Sequence, residues 1–277
     1  MRLGGPVSGF GTDPEKWIAE LRRHGYRAAY CPVDSKASDD LVQAFAQAAK
    51  EADIVIAEVG AWSNPLSADE ETRRKAVQFC QEQLALADRI GARCCVNISG
   101  SRGEQWDGPH PDNLTEATFD LIVESVRSII DGVQPTRAFY TLEPMPWMYP
   151  DSPESYLRLI RAVDRKQFAV HLDPVNMIHS PQRHAANAAF LRECFALLGP
   201  YIVSCHAKDS ALSGKLTVHL DEVRPGLGSL DYRVFLQELD RLDPDTPLLV
   251  EHLATAEEYR LAANHIRTVA RDLGIAL

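Results

Sequence analysis

The sequence has no run of about 18 apolar residues, which a membrane-spanning helix would need. Its first residues, MRLGGPVSGFGTDPEKW, also lack the apolar core of a signal peptide. These two absences predict a protein that has no membrane partner and is not exported. We therefore expect a cytoplasmic location.

The six cysteines include no CxxC pair, the spacing used by thiol redox motifs and many zinc sites. They are spread along 277 residues, and the adjacent Cys94 and Cys95 would point to opposite faces of a strand. This pattern predicts buried, reduced thiols rather than a disulfide framework or a cysteine metal site.

Basic residues are in the minority, with 29 Lys and Arg against 39 Asp and Glu and a formal net charge of −10. A protein that binds nucleic acid neutralises phosphates with a basic face. The acidic balance therefore argues against a nucleic-acid partner.

Short apolar runs alternate with longer helical patterns along the whole chain. The predicted strands cover residues 1–4, 28–33, 53–59, 93–99, 138–143, 167–173, 201–206 and 247–251. The predicted helices lie near residues 14–24, 38–51, 68–91, 114–132, 153–163, 184–197, 230–240 and 255–273. Strict alternation predicts parallel strands joined by helical crossovers. The predicted fold class is therefore α/β, a single eight-stranded parallel (β/α)8 TIM barrel over residues 1–277. An open doubly wound sheet is the alternative.

One ligand-type side chain ends each of the last four predicted strands. In chain order these residues are Glu143, Asp173, His206 and Glu251. Each alone could be a paired core residue, because an ionisable group there is costly to bury unless it is paired or bound to metal. In a closed barrel, however, four neighbouring strands form half of the rim, so the four side chains can converge. Three carboxylates and one imidazole favour Mn²⁺, Mg²⁺ or Co²⁺, with Zn²⁺ as a further alternative.

Several motifs surround these residues. They are ADRIGARCCVNISG at 87–100, LEP at Glu143, LDPVN at Asp173, HAKD at 206–209 and PGLGSLDY at 225–232. With them, nearly the whole chain resembles the xylose isomerase-like sugar phosphate isomerase/epimerase superfamily. That superfamily also contains the ketose 3-epimerases and the endonuclease IV-type enzymes. The resemblance implies that the four strand-end residues ligate one divalent metal ion, with Mn²⁺ expected as the cofactor.

The implied activity is that of a metal-dependent isomerase or epimerase. Its substrate would be a small sugar, sugar phosphate or keto-sugar derivative, and the reaction would pass through a metal-bound enediolate. By the same resemblance, Glu143 and Glu251 are the catalytic pair that removes and returns the proton. A lyase on the same site is the alternative, by β-elimination from a 3-oxo-glycoside or decarboxylation of an oxo sugar acid. The expected partner is a small carbohydrate, and the sequence leaves a homo-oligomer open.

Two departures from the superfamily patterns bear on the substrate. Three-metal DNA-repair members carry extra histidines where this chain has Glu58-Val59-Gly60, Ser99-Gly100 and Asn176. DNA repair is therefore not expected, and a sugar-binding barrel without catalysis is a further alternative. Ketose 3-epimerases usually have His at the position of Asn176 and an Arg after the seventh strand, where residues 204–214 contain none.

Three polar residues near the predicted ligands are candidates for substrate binding. His171 shares the strand face of Asp173, so it could bind substrate, orient a ligand, or be a hydrogen-bonded layer residue inside the barrel. Lys208 could hold a substrate oxygen or be a solvated rim residue. Asn176 could donate a hydrogen bond to substrate. His252 follows Glu251, and strand alternation predicts that it points away and is structural.

Large side chains lie in the two long loops after the fourth and fifth predicted strands. Trp106, His110 and Trp147 could form a roof over the substrate or simply pack within their loops. The glycines of the PGLGSLDY segment could approach a phosphate, although a tight turn is the favoured interpretation.

Overall fold

The computed structural model describes residues 1–277 and contains ten strands. They are β1 (Arg2–Gly4), β2 (Ala28–Tyr30), β3 (Val55–Gly60), β4 (Cys94–Asn97), β5 (Phe139–Leu142), β6 (Phe168–Leu172), β7 (Ile202–Ala207), β8 (Asp209–Ser213), β9 (His219–Val223) and β10 (Pro247–Val250). Eight of them form a closed parallel barrel in the order β1-β10-β7-β6-β5-β4-β3-β2. The predicted (β/α)8 TIM barrel is confirmed, and the open doubly wound sheet is wrong.

Nine α-helices connect and surround the strands. They are α1 (Pro14–His24), α2 (Asp39–Glu51), α3 (Glu70–Ile90), α4 (Glu116–Val133), α5 (Pro153–Val163), α6 (Pro181–Ala185), α7 (Asn187–Leu198), α8 (Tyr232–Leu239) and α9 (Ala256–Leu273). The predicted helix near 184–197 is two helices, and the first begins earlier because Ser180 caps it ahead of Pro181. No helix is both long and apolar enough to span a membrane.

The apolar strands and the inner faces of the helices form one core cluster of 60 buried residues. The six cysteines are free thiols, and five of them are buried as predicted, whereas Cys31 is only partly buried. At the carboxyl ends of the strands the barrel interior turns polar, since buried acids, histidines and one lysine lie there. These buried polar groups are thus surrounded by the apolar core.

The hydroxyl of Tyr156 on α5 fastens two of the strands that carry these polar groups. It lies 2.7 Å from the carbonyl oxygen of Leu142 and 3.0 Å from that of Ala169. It also accepts hydrogen bonds from the amides of Leu142 and His171. One buried hydroxyl therefore bonds the backbones of β5 and β6 just before Glu143 and Asp173.

An antiparallel hairpin of β8 and β9 stands outside the barrel, after β7. No strand was predicted for residues 209–223, because β9 is mostly exposed and shows no apolar alternation. The Asp209 carboxylate fixes the base of the hairpin by accepting hydrogen bonds from the amides of Ser210, Gly226, Gly228 and Leu230. The glycine segment is therefore a tight turn around a carboxylate, as the favoured interpretation had it.

Candidate metal centre

Four ligand-type side chains meet at the carboxyl ends of four adjacent strands. Glu143 follows β5, Asp173 follows β6, His206 lies near the end of β7, and Glu251 follows β10. Their ligand atoms all lie within 4.8 Å of one another, and all four residues are buried. We call these four residues the quartet. The structure thus brings together every residue that the sequence predicted as a metal ligand.

Within the quartet, the His206 ring faces the carboxylates with one nitrogen. Its Nδ1 lies 2.8 Å from Glu251 Oε1, 3.2 Å from Glu143 Oε1 and 3.9 Å from Asp173 Oδ2. Ser204, His206 and Lys208 alternate along the chain, so all three side chains point into the barrel. Strand geometry alone therefore places the imidazole and the neighbouring ammonium in one polar centre.

Lys208 is buried among the same acids, with only 2% of its surface exposed. Its Nζ lies 2.7 Å from Glu251 Oε1, 2.9 Å from Asp173 Oδ2 and 3.4 Å from Glu143 Oε1. A solvated rim lysine, one of the two interpretations of the sequence, is therefore wrong. The physical reason is that three carboxylates compensate the desolvation of the ammonium group.

The charges of the quartet follow from burial and from these neighbours. Burial raises the pKa of Glu143, but Lys208 and His206 outweigh it and hold that pKa well below its ordinary value. Burial likewise acts on Glu251, but His206 above all lowers its pKa to about 2. Burial raises the pKa of Asp173 to about 7, and Lys208 offsets only part of that effect. The two glutamates are therefore ionised at neutral pH and available to a cation.

Two buried oxygens suggest what the quartet could hold. Asp173 Oδ2 and Glu251 Oε1 have no hydrogen bond of acceptable geometry, although the Lys208 ammonium is close to both. Both oxygens contact positive charge without an aligned hydrogen-bond donor, so they keep lone pairs that a metal ion could use. Three carboxylate oxygens and one imidazole nitrogen are a donor set for Mn²⁺, Mg²⁺, Co²⁺ or Zn²⁺. The residues present fit a divalent cation.

A second group of buried ligand-type residues, which the sequence did not predict, adjoins the quartet. Glu58, His171 and His206 also bring ligand atoms within 4.8 Å of one another. Glu58 Oε1 lies 3.3 Å from His206 Nε2, and Glu58 Oε2 lies 3.4 Å from His171 Nδ1. His171 is fully buried, burial lowers its pKa to about 4, and neither ring nitrogen has a well-aligned hydrogen bond. The structure places His171 inside the barrel, beside the ring of His206.

Asn176 joins the quartet to a neighbouring cleft of about 440 Å³. Its Nδ2 donates to Glu143 Oε1 at 3.1 Å, and its Oδ1 accepts from Lys208 Nζ at 3.3 Å. The cleft is lined by the loop after β5, the loop after β6 and the hairpin; it includes Pro146, Trp147, Val175, Asn176, Ile178, His179, Ser210, Val218, Leu220, Asp221 and Glu222. The cleft beside the quartet thus has both apolar and polar walls.

Of the three residues predicted to form a roof, only one lines the cleft in the structure. Trp147 lines the cleft, and its Nε1 donates to the carbonyl oxygen of Asp107, which ties the loops after β4 and β5 together. Trp106 and His110 lie in the loop after β4 but do not line the cleft. His110 Nδ1 accepts a hydrogen bond from the Asp112 amide within that loop. This nitrogen of His110 is therefore occupied by a hydrogen bond within its own loop.

His252 does not point away from the site as alternation predicted. Its backbone has φ 56°, a left-handed conformation that is uncommon outside glycine and ends the strand pattern. Its ring nitrogens lie 3.4 Å from Glu222 on the hairpin and 3.7 Å from Glu251 Oε2. Glu222, which was not among the residues predicted from the sequence, also lies 3.7 Å from Lys208 Nζ. The hairpin therefore contributes an acid to the rim of the site.

Comparisons with known proteins agree with this architecture. A family model described as a xylose isomerase-like TIM barrel matches residues 16–269. No curated protein matches the chain in sequence.

Solved structures share the fold at low sequence identity. A xylose isomerase-like TIM barrel protein from Mycobacterium smegmatis in complex with magnesium is 18% identical with a TM-score of 0.66, over 98% of this chain and 96% of that chain. The D-psicose 3-epimerase of Clostridium cellulolyticum, solved with D-tagatose, is 15% identical with a TM-score of 0.69, over 97% and 99%. Endonuclease IV from Thermus thermophilus is 16% identical with a TM-score of 0.71, over 98% and 100%. Because one fold carries several activities, these likenesses establish the fold and not the reaction.

Proposed function

The chain belongs to the xylose isomerase-like TIM barrel family, and from that premise we propose that it is a divalent-metal-dependent isomerase or epimerase of small sugars or keto-sugar derivatives. The observation that carries the proposal is the quartet, four ligand-type side chains within 4.8 Å at the carboxyl ends of adjacent strands. Functional residues of TIM barrels come from this end of the strands.

The quartet would hold one divalent cation, with Mn²⁺ as the expected ion. Such an ion polarises a carbonyl oxygen and so makes the proton on the adjacent carbon easier to remove. The protein must then supply groups that take and return that proton. Glu143 and Glu251 suit proton removal because both are ionised at neutral pH.

The two glutamates stand at opposite ends of the arc formed by β5, β6, β7 and β10. A substrate lying over the quartet would therefore have one carboxylate on each side. One glutamate takes the proton from the carbon. The other glutamate, protonated beforehand from solvent, then donates a proton to the opposite face of that carbon, or the first glutamate donates its own proton to the neighbouring carbon while the hydroxyl proton passes to the former carbonyl oxygen. The first outcome is epimerisation and the second is aldose–ketose isomerisation.

Lys208 and Asn176 are the proposed groups for substrate oxygens. Lys208 remains positively charged, since the surrounding acids outweigh burial and raise its pKa well above the ordinary value. An ammonium group in a water-poor site stabilises an oxygen that gains negative charge during proton removal. Asn176 bonds both Lys208 and Glu143, so it can align a substrate hydroxyl with them.

The cleft beside Asn176 is the proposed binding space for the rest of the substrate. Ligand sites combine apolar walls with a few well-placed polar groups, and sugars offer both C–H faces and hydroxyls. Trp147 supplies an apolar wall, whereas Glu222 supplies acceptors. The loop after β4, tied to Trp147 through Asp107, would place Trp106 and His110 as an outer cover, and buried His171 would support the quartet from below.

The test is exchange of carbon-bound hydrogen in D₂O. The purified protein with Mn²⁺ is incubated with a panel of ketoses and 3-keto-glycosides, and products are followed by NMR and mass spectrometry. We expect deuterium at one carbon of an otherwise intact sugar, accompanied by epimer or isomer formation. Glu143→Gln and Glu251→Gln should each abolish exchange, whereas Glu124→Gln on the exposed face of α4 should not.

Other results would contradict the proposal. Release of a leaving group without a deuterated sugar would identify a lyase instead. Exchange that persists in both glutamine variants would show that Glu143 and Glu251 are not the proton carriers. Absence of exchange with every substrate of the panel would also contradict the proposed proton transfer.

A further inference from the structure

The imidazole of His206 has two nitrogens, and each faces different acids. Nδ1 points to the quartet, 2.8 Å from Glu251 Oε1. Nε2 points the opposite way, 3.3 Å from Glu58 Oε1. A neutral imidazole carries a single proton, so the partner of one nitrogen decides whether the other nitrogen has a free lone pair.

Glu58 reaches His206 from the far side of the barrel. It lies on β3, which stands opposite β7 in the eight-stranded order. The carboxylate is 3% exposed, and its second oxygen accepts a hydrogen bond from Ser204 Oγ at 3.3 Å. Ser204 precedes His206 on the same face of β7, so the acid is fixed to the strand that carries the histidine.

We propose that Glu58 is a positioning residue that holds the proton on His206 Nε2 and leaves Nδ1 free for the divalent cation. Carboxylates that accept from the non-ligating nitrogen of a histidine set its tautomer and orientation in metal sites. Removing Glu58 would leave Nε2 buried without an acceptor, and the ring could then turn or carry its proton on Nδ1. This role rests on the proposed function, because it requires the cation.

The same atoms argue against a second cation held by Glu58, His171 and His206. Such a site would need the Nε2 lone pair of His206 while Nδ1 serves the quartet. The imidazole would then have to lose both of its protons. An acceptor role for Glu58 requires only one proton, on the nitrogen that faces it.

The experiment measures the dissociation constant of Mn²⁺ by isothermal titration calorimetry. Glu58→Leu keeps the volume but removes the acceptor, and we expect it to weaken Mn²⁺ binding by roughly 10- to 100-fold. Glu58→Gln keeps an acceptor oxygen and should recover most of the affinity. Thr141→Val is the control, because Thr141 is also buried, on β5, and its hydroxyl donates to the Cys95 carbonyl oxygen rather than to a residue of the quartet.

A second measurement covers the case in which Glu58→Leu does not fold. Long-range ¹H–¹⁵N NMR of the wild-type protein loaded with diamagnetic Zn²⁺ reports the protonation of each His206 nitrogen. We expect the proton on Nε2 and the cation at Nδ1. Ser204→Ala, which removes one anchor of Glu58, should weaken Mn²⁺ binding less than Glu58→Leu does.

The possible failures are distinguishable. Wild-type affinity in Glu58→Leu, a proton on Nδ1, or two Mn²⁺ per chain with one lost on changing Glu58 would overturn this role alone. A wild-type protein that binds no divalent cation would overturn both this role and the proposed metal-dependent activity.

Discussion

The ammonium nitrogen of Lys208 lies 2.7 Å from Glu251 Oε1, inside the group of acids that would hold the cation. Lys208 and a divalent cation would therefore interact with the same carboxylates. Lys208 balances the acids when no ion is bound, and it repels an ion that enters. Stability and ion binding should consequently be coupled through this one side chain.

Lys208→Met tests that coupling. Removing one partner of a buried ion pair leaves uncompensated charge and costs about 3–5 kcal/mol, so the metal-free variant should lose stability on this scale. Added Mn²⁺ should stabilise the variant more than it stabilises the wild type, because binding to the native state adds to the free energy of unfolding. Urea unfolding with and without Mn²⁺ measures both effects. Lys215→Met, on the exposed hairpin, is the control, and an equal loss with and without Mn²⁺ would refute the coupling.

Asp173→Asn distinguishes the roles of the two carboxylate oxygens of Asp173. Oδ1 accepts hydrogen bonds from the amides of Val175 and Asn176, which an asparagine oxygen can also accept. Oδ2 faces the quartet, and an amide nitrogen there cannot ligate a cation. The variant should therefore fold but bind Mn²⁺ more weakly. Because a direct ligand is lost, the fall in affinity should exceed the roughly 10- to 100-fold fall expected when a hydrogen-bond partner of a ligand is removed. Calorimetry measures the Mn²⁺ affinity of this variant, with Asp120→Asn at an exposed position as the control. Unchanged affinity in Asp173→Asn would show that Asp173 is not a ligand.

The barrel and the quartet could be predicted from the sequence because their signals are local. Each of these strands is an apolar run, and a lone acid or histidine at its carboxyl end stands out against that run. Strand geometry then brings equivalent positions together without any knowledge of loops. The roles assigned to these residues stay predictions.

Glu58 was missed because it lies within an apolar strand rather than at its end, and its partner is 148 residues away. A lone acid in VIAEVG was nevertheless a usable signal, since burial of an unpaired carboxylate is costly. The position of His252 could not be predicted, because a left-handed residue breaks the alternation from which its direction was inferred. The hairpin was missed because its exposed second strand carries no apolar period.

Gly228 should be required where the hairpin meets the barrel. A Cβ at this position would lie 2.3 Å from Asp209 Oδ1 and 2.4 Å from the Ser210 carbonyl oxygen. Neither neighbour can yield easily, because Asp209 collects four backbone amides. Gly228→Ala should lower the free energy of unfolding by about 1–3 kcal/mol, the usual range for overpacking. Gly214→Ala, where a Cβ meets no atom within 4 Å, is the matched control, and equal urea midpoints for the two variants would contradict the prediction.

Tyr156→Phe should weaken both the fold and the site. The change removes only the hydroxyl that bonds the backbones of β5 and β6, so the ring packing stays while buried amide and carbonyl groups lose their partner. Unsatisfied buried groups cost about 1–3 kcal/mol, whereas the exposed Tyr201→Phe should cost almost nothing. Because the freed backbone lies directly before Glu143 and Asp173, Mn²⁺ affinity should fall together with the urea midpoint. A stability loss with unchanged Mn²⁺ affinity would mean that the quartet is positioned by side-chain packing and not by the alignment of these two strands.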